Sequence, residues 1–454
     1  MPDRSLASHS DVGVQRLPKS LHGSGAALKL TGPWSLVNNC SSKGSTVSEK
    51  FVLPEHQRPT LKHDEYTDLE IPVIDVAAIN NSLEGDATAK EALVAQVREA
   101  CLNWGCFQIV NHDISEELLS RIQYHVNRFF NLPFAEKMKV VKQDGSVAGY
   151  GHATVKNGDV RPSSERFFFA NDGSVAENAQ KLWSNWDEND FIGSYSEYYE
   201  KVHQLSGSLI RIIVQGLEVD PVHFEKYWKN TSGLLLWNFY PACPEPQKAI
   251  GINAHTDFNL LTVLHENNVG GLQIEKDGEW VAVRPRPGAL AVNIGDTLQA
   301  KIPWYIPKIE CRKVNDITTN GVEFSERELV FQSGCNRRVH DSRADYEVTV
   351  PLDRDVVDRV LTNAKYRSVP HRAVVNETQT RISVAYFHVP VQGIDIVPHP
   401  ELVDEHNPNK YEPFTIDTYT KIKQAQTLNT LELFLRTDTR DNGVVTIEAQ
   451  SHTT

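Results

Sequence analysis

His255-Thr256-Asp257 sets an imidazole and a carboxylate two residues apart. In a strand, residues i and i+2 share a face, so both side chains could approach one metal ion. The same spacing occurs at His9-Ser10-Asp11, in a stretch with no apolar scaffold, so alone it says little. A second segment adds weight. His371 lies in the strand-like run Tyr366-Arg-Ser-Val-Pro-His-Arg-Ala-Val-Val. Two His and one carboxylate hold Fe(II) on one face and leave coordination positions open. Two open positions suit a bidentate 2-oxo acid, and a third suits O2. Arg381 offers a planar fork for a distal carboxylate. Ser383, two residues on, shares its strand face and can donate a hydrogen bond to the same group. A hydrolytic zinc site uses the same donor types. The distant second His and the Arg381-x-Ser383 pair weigh against it.

The residues around these positions read as strands. Leu234-Leu-Leu-Trp-Asn-Phe, Leu260 to Leu264, Ala289 to Ile294 and Ile382 to Val389 are short apolar runs. Leu272 to Glu275 and Trp280 to Val283 flank Asp277-Gly278, a hairpin signal. Many short strands with turn signals predict a β-sandwich or jelly roll. The first half reads as mostly helical. It opens with a buried strand at Ile71-Pro-Val-Ile-Asp. Leu93, Val97, Ala100, Cys101 and Trp104 recur at helical spacing, ended by Gly105. Phe107-Gln-Ile-Val follows as a strand. Asp113 and Glu116 form a capping pair for a helix with its apolar stripe from Leu118 to Phe130. A third helix carries Tyr198 to Ile213, and a last one Tyr419 to Leu435. Phe167 to Phe169 read as strand core with a second option beside substrate.

The chain has 454 residues, 40% hydrophobic and 23% charged, with a net charge of −13. This is ordinary globular material able to bury a large core. A net-acidic chain without a basic run argues against nucleic-acid or anionic-membrane partners. The six scattered Cys make neither a disulfide scaffold nor a zinc ribbon, and Cys101 and Cys106 read as core thiols. No apolar run reaches the roughly 18 residues of a membrane span. A cytoplasmic monomer acting on a small molecule is the expectation. Residues 1–50 read as a mobile tail, with order beginning near Phe51.

As an ordered set, these segments resemble a known family. Asn238-Phe-Tyr-Pro-Ala-Cys-Pro, His255-Thr-Asp257, Gly270-Gly-Leu-Gln, Gly295-Asp-Thr-Leu, Tyr366-Arg-Ser-Val-Pro-His371-Arg and Arg381-Ile-Ser383 are similar to plant-type 2-oxoglutarate- and Fe(II)-dependent dioxygenases. That group is related to isopenicillin N synthase, gibberellin oxidases and flavonoid oxygenases. Ile71-Pro-Val-Ile-Asp, Trp104-Gly-Cys-Phe-Gln-Ile-Val-Asn-His and the Leu132-Pro turn extend the match into the first half. The resemblance implies an α+β protein: a double-stranded β-helix core, a mostly helical N-terminal half and a C-terminal helix. It implies iron held by His255, Asp257 and His371. It implies that Arg381 and Ser383, with Asn238 and Tyr240, bind 2-oxoglutarate. The implied reaction consumes O2, with ascorbate as reductant, and converts 2-oxoglutarate to succinate and CO2. A C–H bond of a small, largely apolar metabolite, a terpenoid hormone or a phenolic, is then hydroxylated or desaturated.

The expected regions are 51–230, helical, and 231–299 with 360–400, the jelly roll, followed by a helical segment at 401–440. The interval from His255 to His371 exceeds the family's spacing, and the excess falls in 300–359. Joining Gln299 to Val360 restores an uninterrupted family segment. The block is either a genuine surface excursion, whose entropic cost grows slowly with length, or translated intron sequence. Two alternatives follow: an oxidase of the same fold that does not use 2-oxoglutarate, like aminocyclopropane-carboxylate oxidase, and a relative disabled by the block.

Overall fold

A computed structural model describes residues 46–298 and 366–425. Short breaks fall at 61, 63, 80–86, 144–145, 147, 153–159, 161, 171–173, 184, 230, 232, 404–408 and 410–411. Three strand pieces between 312 and 347 are also described. The proposed tail up to residue 45, and Leu428, Leu431 and Leu435 of the last expected helix, lie outside the described residues.

The strands are β1 (Val73–Asp75), β2 (Cys106–Val110), β3 (Gly149–His152), β4 (Glu165–Ala170), β5 (Leu234–Tyr240), β6 (Ile252–His255), β7 (Leu261–Glu266), β8 (Leu272–Lys276), β9 (Glu279–Ala282), β10 (Leu290–Ile294), β11 (Arg312–Lys313), β12 (Arg338–Asp341), β13 (Ala344–Glu347), β14 (His371–Ala373), β15 (Arg381–His388), β16 (Asp395–Ile396) and β17 (Phe414–Thr415). The helices are α1 (Ala87–Asn103), α2 (Glu116–Phe130), α3 (Phe134–Lys137), α4 (Ser174–Leu182), α5 (Asn185–Gln215), α6 (Val222–Trp228) and α7 (Ile416–Ala425).

An eight-stranded sheet runs β1-β2-β10-β7-β15-β5-β4-β3, and a four-stranded sheet runs β6-β14-β8-β9. Side chains alternate across the large sheet. Trp237, Phe239, Phe167, Phe169, Ile382, Val384 and Tyr386 join one core with helix residues such as Phe129, Leu209 and Ile213. Leu236, Leu264, Ala291, Ala385 and Phe387 join a second core with Leu272, Ile274 and Val281 of the small sheet. Both faces are covered, so β10 and β15 are buried along their whole length. That is why apolar residues such as Val384-Ala-Tyr-Phe of β15 and Leu290-Ala-Val of β10 run consecutively along these strands. The two sheets face each other as a jelly roll, with helices on the outer face of the large one, as the α+β expectation had it.

Several local expectations shift. Ser115, not Asp113, caps α2, its hydroxyl accepting from Leu118 N–H. Asp113 sits at φ 64°, in the left-handed region, where a helix cannot start. β1 is an edge strand, with only Ile74 of its three residues buried. The chain already packs at Val47, ahead of Phe51, its N–H donating to Glu245. The Asp277-Gly278 turn has φ of 53° and 86°, the all-positive pattern that suits hairpin twist. The described residues between 51 and 230 are mainly helical, yet they supply β1 to β4, at both ends of the large sheet. Within 300–359, β11, β12 and β13 pair with one another and with no other described strand.

Candidate functional site

The inner face of the large sheet is not uniformly apolar. Asn238, Tyr240, Thr262, Arg381 and Ser383 point with Leu236, Leu264 and Ala385 into a cavity of about 340 Å³, closed on its other side by β6 and β14. Register sets the rows. Ser383 pairs with Asn238, and Arg381 with Tyr240.

His255, Asp257 and His371 meet in this cavity, each offering a ligand atom, all within 4.8 Å of one another. β6 and β14 bring the two His together, since His371 lies opposite His255 in the ladder. Asp257 does not extend the strand, contrary to the expectation of a strand-borne pair. β6 ends at His255, and Asp257 lies in the turn that follows. Its placement comes from its neighbours. Asp296 N–H donates to the Asp257 carbonyl at 2.7 Å. Thr262 Oγ1 donates to Asp257 Oδ2 at 2.7 Å, which leaves Oδ1 facing the imidazoles. His255 Nε2 and His371 Nε2 lie 3.8 and 3.6 Å from that oxygen.

The imidazole tautomers follow from their other ring nitrogens. His255 Nδ1 lies 2.9 Å from Asn253 O, and His371 Nδ1 lies 3.1 Å from Val369 O. A carbonyl only accepts, so each Nδ1 carries the proton and each Nε2 turns a lone pair to the cavity. Burial, with His371 alongside, pushes the His255 imidazole well below its ordinary range. Burial opposes ionisation of Asp257, but His371 and His255 beside it hold its carboxyl low. Two imidazoles and one carboxylate, each steered by a hydrogen bond, suit a divalent metal in donor type.

A buried polar network clamps the turn that carries Asp257. Asp296 Oδ2 accepts from Thr256 Oγ1 at 3.1 Å and Tyr419 OH at 2.7 Å, and pairs with Lys423. Asp296 Oδ1 accepts from Ser368 Oγ at 2.8 Å. The helix α7 is thereby fastened to the segment that carries Asp257. Gly295 precedes Asp296 because a Cβ there would meet Asn259 O at 2.0 Å. These contacts give the Gly295-Asp-Thr-Leu segment a physical reading.

Arg381 is almost wholly buried. Its Nε and Nη2 donate to Glu266 Oε2 at 3.0 and 2.7 Å, and its guanidinium lies 4.9 Å from the Tyr240 ring centroid. Asn238 Nδ2 donates to Ser383 Oγ at 3.3 Å. Gly271 makes room for this arginine, since a Cβ there would meet Arg381 Cδ at 3.2 Å. All seven residues singled out in the sequence line the one cavity. Glu266 and Thr262 were missed. Thr262 lines the cavity with Leu264, and Glu266, two residues further on along β7, shares their strand parity, so that period could have found both. In the Phe167 to Phe169 run, Phe167 and Phe169 are core, while Phe168 lines the cavity.

A jelly roll with two His and one carboxylate at its mouth and a buried arginine on its inner wall defines a class of oxygenase. Residues 71–189 match the family described as "non-haem dioxygenase in morphine synthesis N-terminal". Residues 231–301 and 326–390 match the "2OG-Fe(II) oxygenase superfamily". The chain is 28% identical over 397 residues to gibberellin 20 oxidase 1-A of Triticum aestivum, covering 86% of this chain and 91% of that one. It is 28% identical over 388 residues to jasmonate-induced oxygenase 2 of Arabidopsis thaliana, covering 84% and 86%. The solved structure of JOX2 in complex with 2OG, Fe and JA superposes with a TM-score of 0.66 at 26% identity, covering 89% of this chain and 98% of that one. The chain belongs to the plant 2-oxoglutarate- and Fe(II)-dependent oxygenase family. It is a dioxygenase that uses Fe(II) and 2-oxoglutarate and acts on small molecules. Among the described residues, no helix is long and apolar enough to cross a membrane.

Proposed function

We propose that this dioxygenase hydroxylates or desaturates a small, largely apolar metabolite of the terpenoid-hormone or phenolic class. His255, Asp257 and His371 hold the iron, and Arg381, Ser383, Asn238 and Tyr240 receive 2-oxoglutarate. The observation that carries the reading is the meeting of the three ligand atoms within 4.8 Å in a cavity whose wall bears Arg381. When bound, the metal supplies a redox-active centre at which 2-oxoglutarate and O2 can meet.

The chain's own residues do the positioning. Thr262 and the Asn253 and Val369 carbonyls fix the three ligand side chains. Arg381 shares its guanidinium between Glu266 and the distal carboxylate of the co-substrate, and Ser383 donates to the same carboxylate. Phe168, Leu236, Leu264 and Phe387 make part of the wall apolar and suit a hydrocarbon skeleton. The names of the gibberellin and jasmonate relatives support the hormone class. The jelly roll of 231–299 and 360–400 is the catalytic unit of this reading, with 300–359 either a genuine loop of the chain or translated intron sequence.

The test is succinate release that depends on Fe(II) and 2-oxoglutarate, with ascorbate as reductant. It is run on the full chain and on one lacking 300–359, with terpenoid and phenolic acids. Release from both marks the block as a tolerated loop. Release only from the shortened chain marks this chain as a disabled form. No release from either, together with no iron retention, refutes the reading.

A further inference from the structure

Among the described residues, three arginines line the cavity wall: Arg381, Arg372, whose Nε donates to Gln273 Oε1 at 2.8 Å and whose guanidinium lies over the Trp280 ring, and Arg166. On β4 Arg166 pairs with Asn238, which pairs in turn with Ser383, so the three form one row across the inner face. Arg166 and Phe168 face the cavity, while Glu165, Phe167 and Phe169 are buried on the opposite side of the strand. Its Nε is buried and has no hydrogen-bond partner among the described residues. No ion pair of Arg166 is found there either. A guanidinium in this position is always charged, and it is costly without a partner.

The acidic groups nearby are already engaged. Glu165 accepts from Lys137 Nζ at 2.6 Å and Tyr150 OH at 2.7 Å on the far side of the sheet. Glu266 is bound to Arg381. Asp257 faces the two His and Thr262. Among the described residues, Arg166 is therefore a cavity cation with no anion of its own. The co-substrate's distal carboxylate is already provided for by Arg381 and Ser383, on β15, with β5 between them and Arg166.

We propose that Arg166 anchors a carboxylate of the primary substrate, so that the enzyme selects small carboxylic acids with an apolar skeleton. This rests on the functional reading above and narrows its substrate class. The acid end seats on Arg166, and the skeleton lies along Phe168 and Leu236. The carbon to be oxidised is then the one that this tether brings to the open side of the metal ligands. The anchor acts as a two-point fork on a carboxylate, which an ester or an alcohol cannot satisfy.

The test measures binding rather than turnover. 1-Naphthylacetic acid, cinnamic acid and a diterpenoid carboxylic acid, each beside its methyl ester, are titrated calorimetrically into the full chain loaded with Mn(II) and 2-oxoglutarate. At least one acid should bind about tenfold or more tighter than its ester, as a charge-assisted hydrogen bond to a buried group allows. Arg166→Gln should erase that preference, and Arg166→Lys should keep part of it. In both variants the 2-oxoglutarate affinity and the succinate released without substrate should stay within about twofold of the parent. Equal binding of acid and ester in every pair, or a preference that survives Arg166→Gln, overturns the proposal. So does weaker 2-oxoglutarate binding in Arg166→Gln with the preference intact, since Arg166 would then serve the co-substrate. Acid preference is read on the same preparation whether or not succinate forms. Its loss and a failure of the oxygenase reading are therefore separate results.

Discussion

The two faces of β5 and β15 are built from alternate residues of the same strands, yet they do opposite work. On the outer face, Trp237, Phe239, Ile382, Val384 and Tyr386 pack against helices. On the inner face, Asn238, Tyr240, Arg381 and Ser383 line the cavity. The pleat places them with no special backbone. A slip of one residue would turn every cavity group into the core. The aromatic outer face thus fixes the register that the polar inner face depends on. Stability and site geometry are separable by side chain but not by strand.

This comparison can be broken from either side. Asp257→Ala removes the one carboxylate of the proposed iron set and should lower turnover by roughly 10³-fold or more, from the lost charge stabilisation. Its melting temperature should stay near the parent's in the metal-free state. A variant that retained iron and turnover would show that the inner face is not the site.

Trp237→Ala empties a fully buried position, with Phe169 at 4.6 Å and Phe191 at 5.8 Å between ring centroids. The expected cost is about 3–5 kcal/mol in denaturant unfolding. Iron affinity of the remaining folded protein should be nearly unchanged. A large loss of affinity without a loss of stability would contradict the division between faces.

Acid should act on buried imidazoles away from the cavity. Burial, with His203 nearby, holds His388 at about 4, and burial, with His112 nearby, does the same for His265. Each folds neutral against an ordinary value of 6.5. Their contribution is complete above pH 6.5 and is lost as pH falls toward 4, on the order of 3 kcal/mol each. Unfolding free energies at pH 7 and pH 4.5 should therefore differ less in His388→Gln than in the parent. An unchanged difference would mean that His388 does not titrate on unfolding. Thr262→Val is the mildest change. It removes the donor to Asp257 Oδ2 and should weaken metal binding by about 10–100-fold, read by equilibrium dialysis.

Much of this was legible in the sequence because strand period and motif order are local. The helix ended by Gly105, the Asp277-Gly278 hairpin and the seven cavity residues are cases of that kind. Cys101 and Cys106 are buried as expected, and burial raises both thiols far above their usual range. What was not legible depends on pairings distant along the chain. The Arg381 bond to Glu266 arises because β7 lies beside β15. The fastening of α7 through Asp296 needs Lys423 and Tyr419 brought back from the C-terminal region. Arg166 reaches the cavity only because β4 joins β5. The mistaken cap at Asp113 has a different cause. Asp-x-x-Glu fits a capping box, but only the backbone reveals that Asp113 is left-handed.

The central claim is that His255, Asp257 and His371 form one iron site beside a 2-oxoglutarate seat at Arg381. The most direct test is anaerobic Fe(II) binding by equilibrium dialysis, with and without 2-oxoglutarate, on the parent, Asp257→Ala and Arg381→Ala. The account predicts one iron per chain in the parent, tightened by 2-oxoglutarate. It predicts no retention in Asp257→Ala. In Arg381→Ala it predicts retained iron whose affinity 2-oxoglutarate no longer improves at parental concentrations. Stoichiometric iron in Asp257→Ala, or an undiminished response to 2-oxoglutarate in Arg381→Ala, would contradict it.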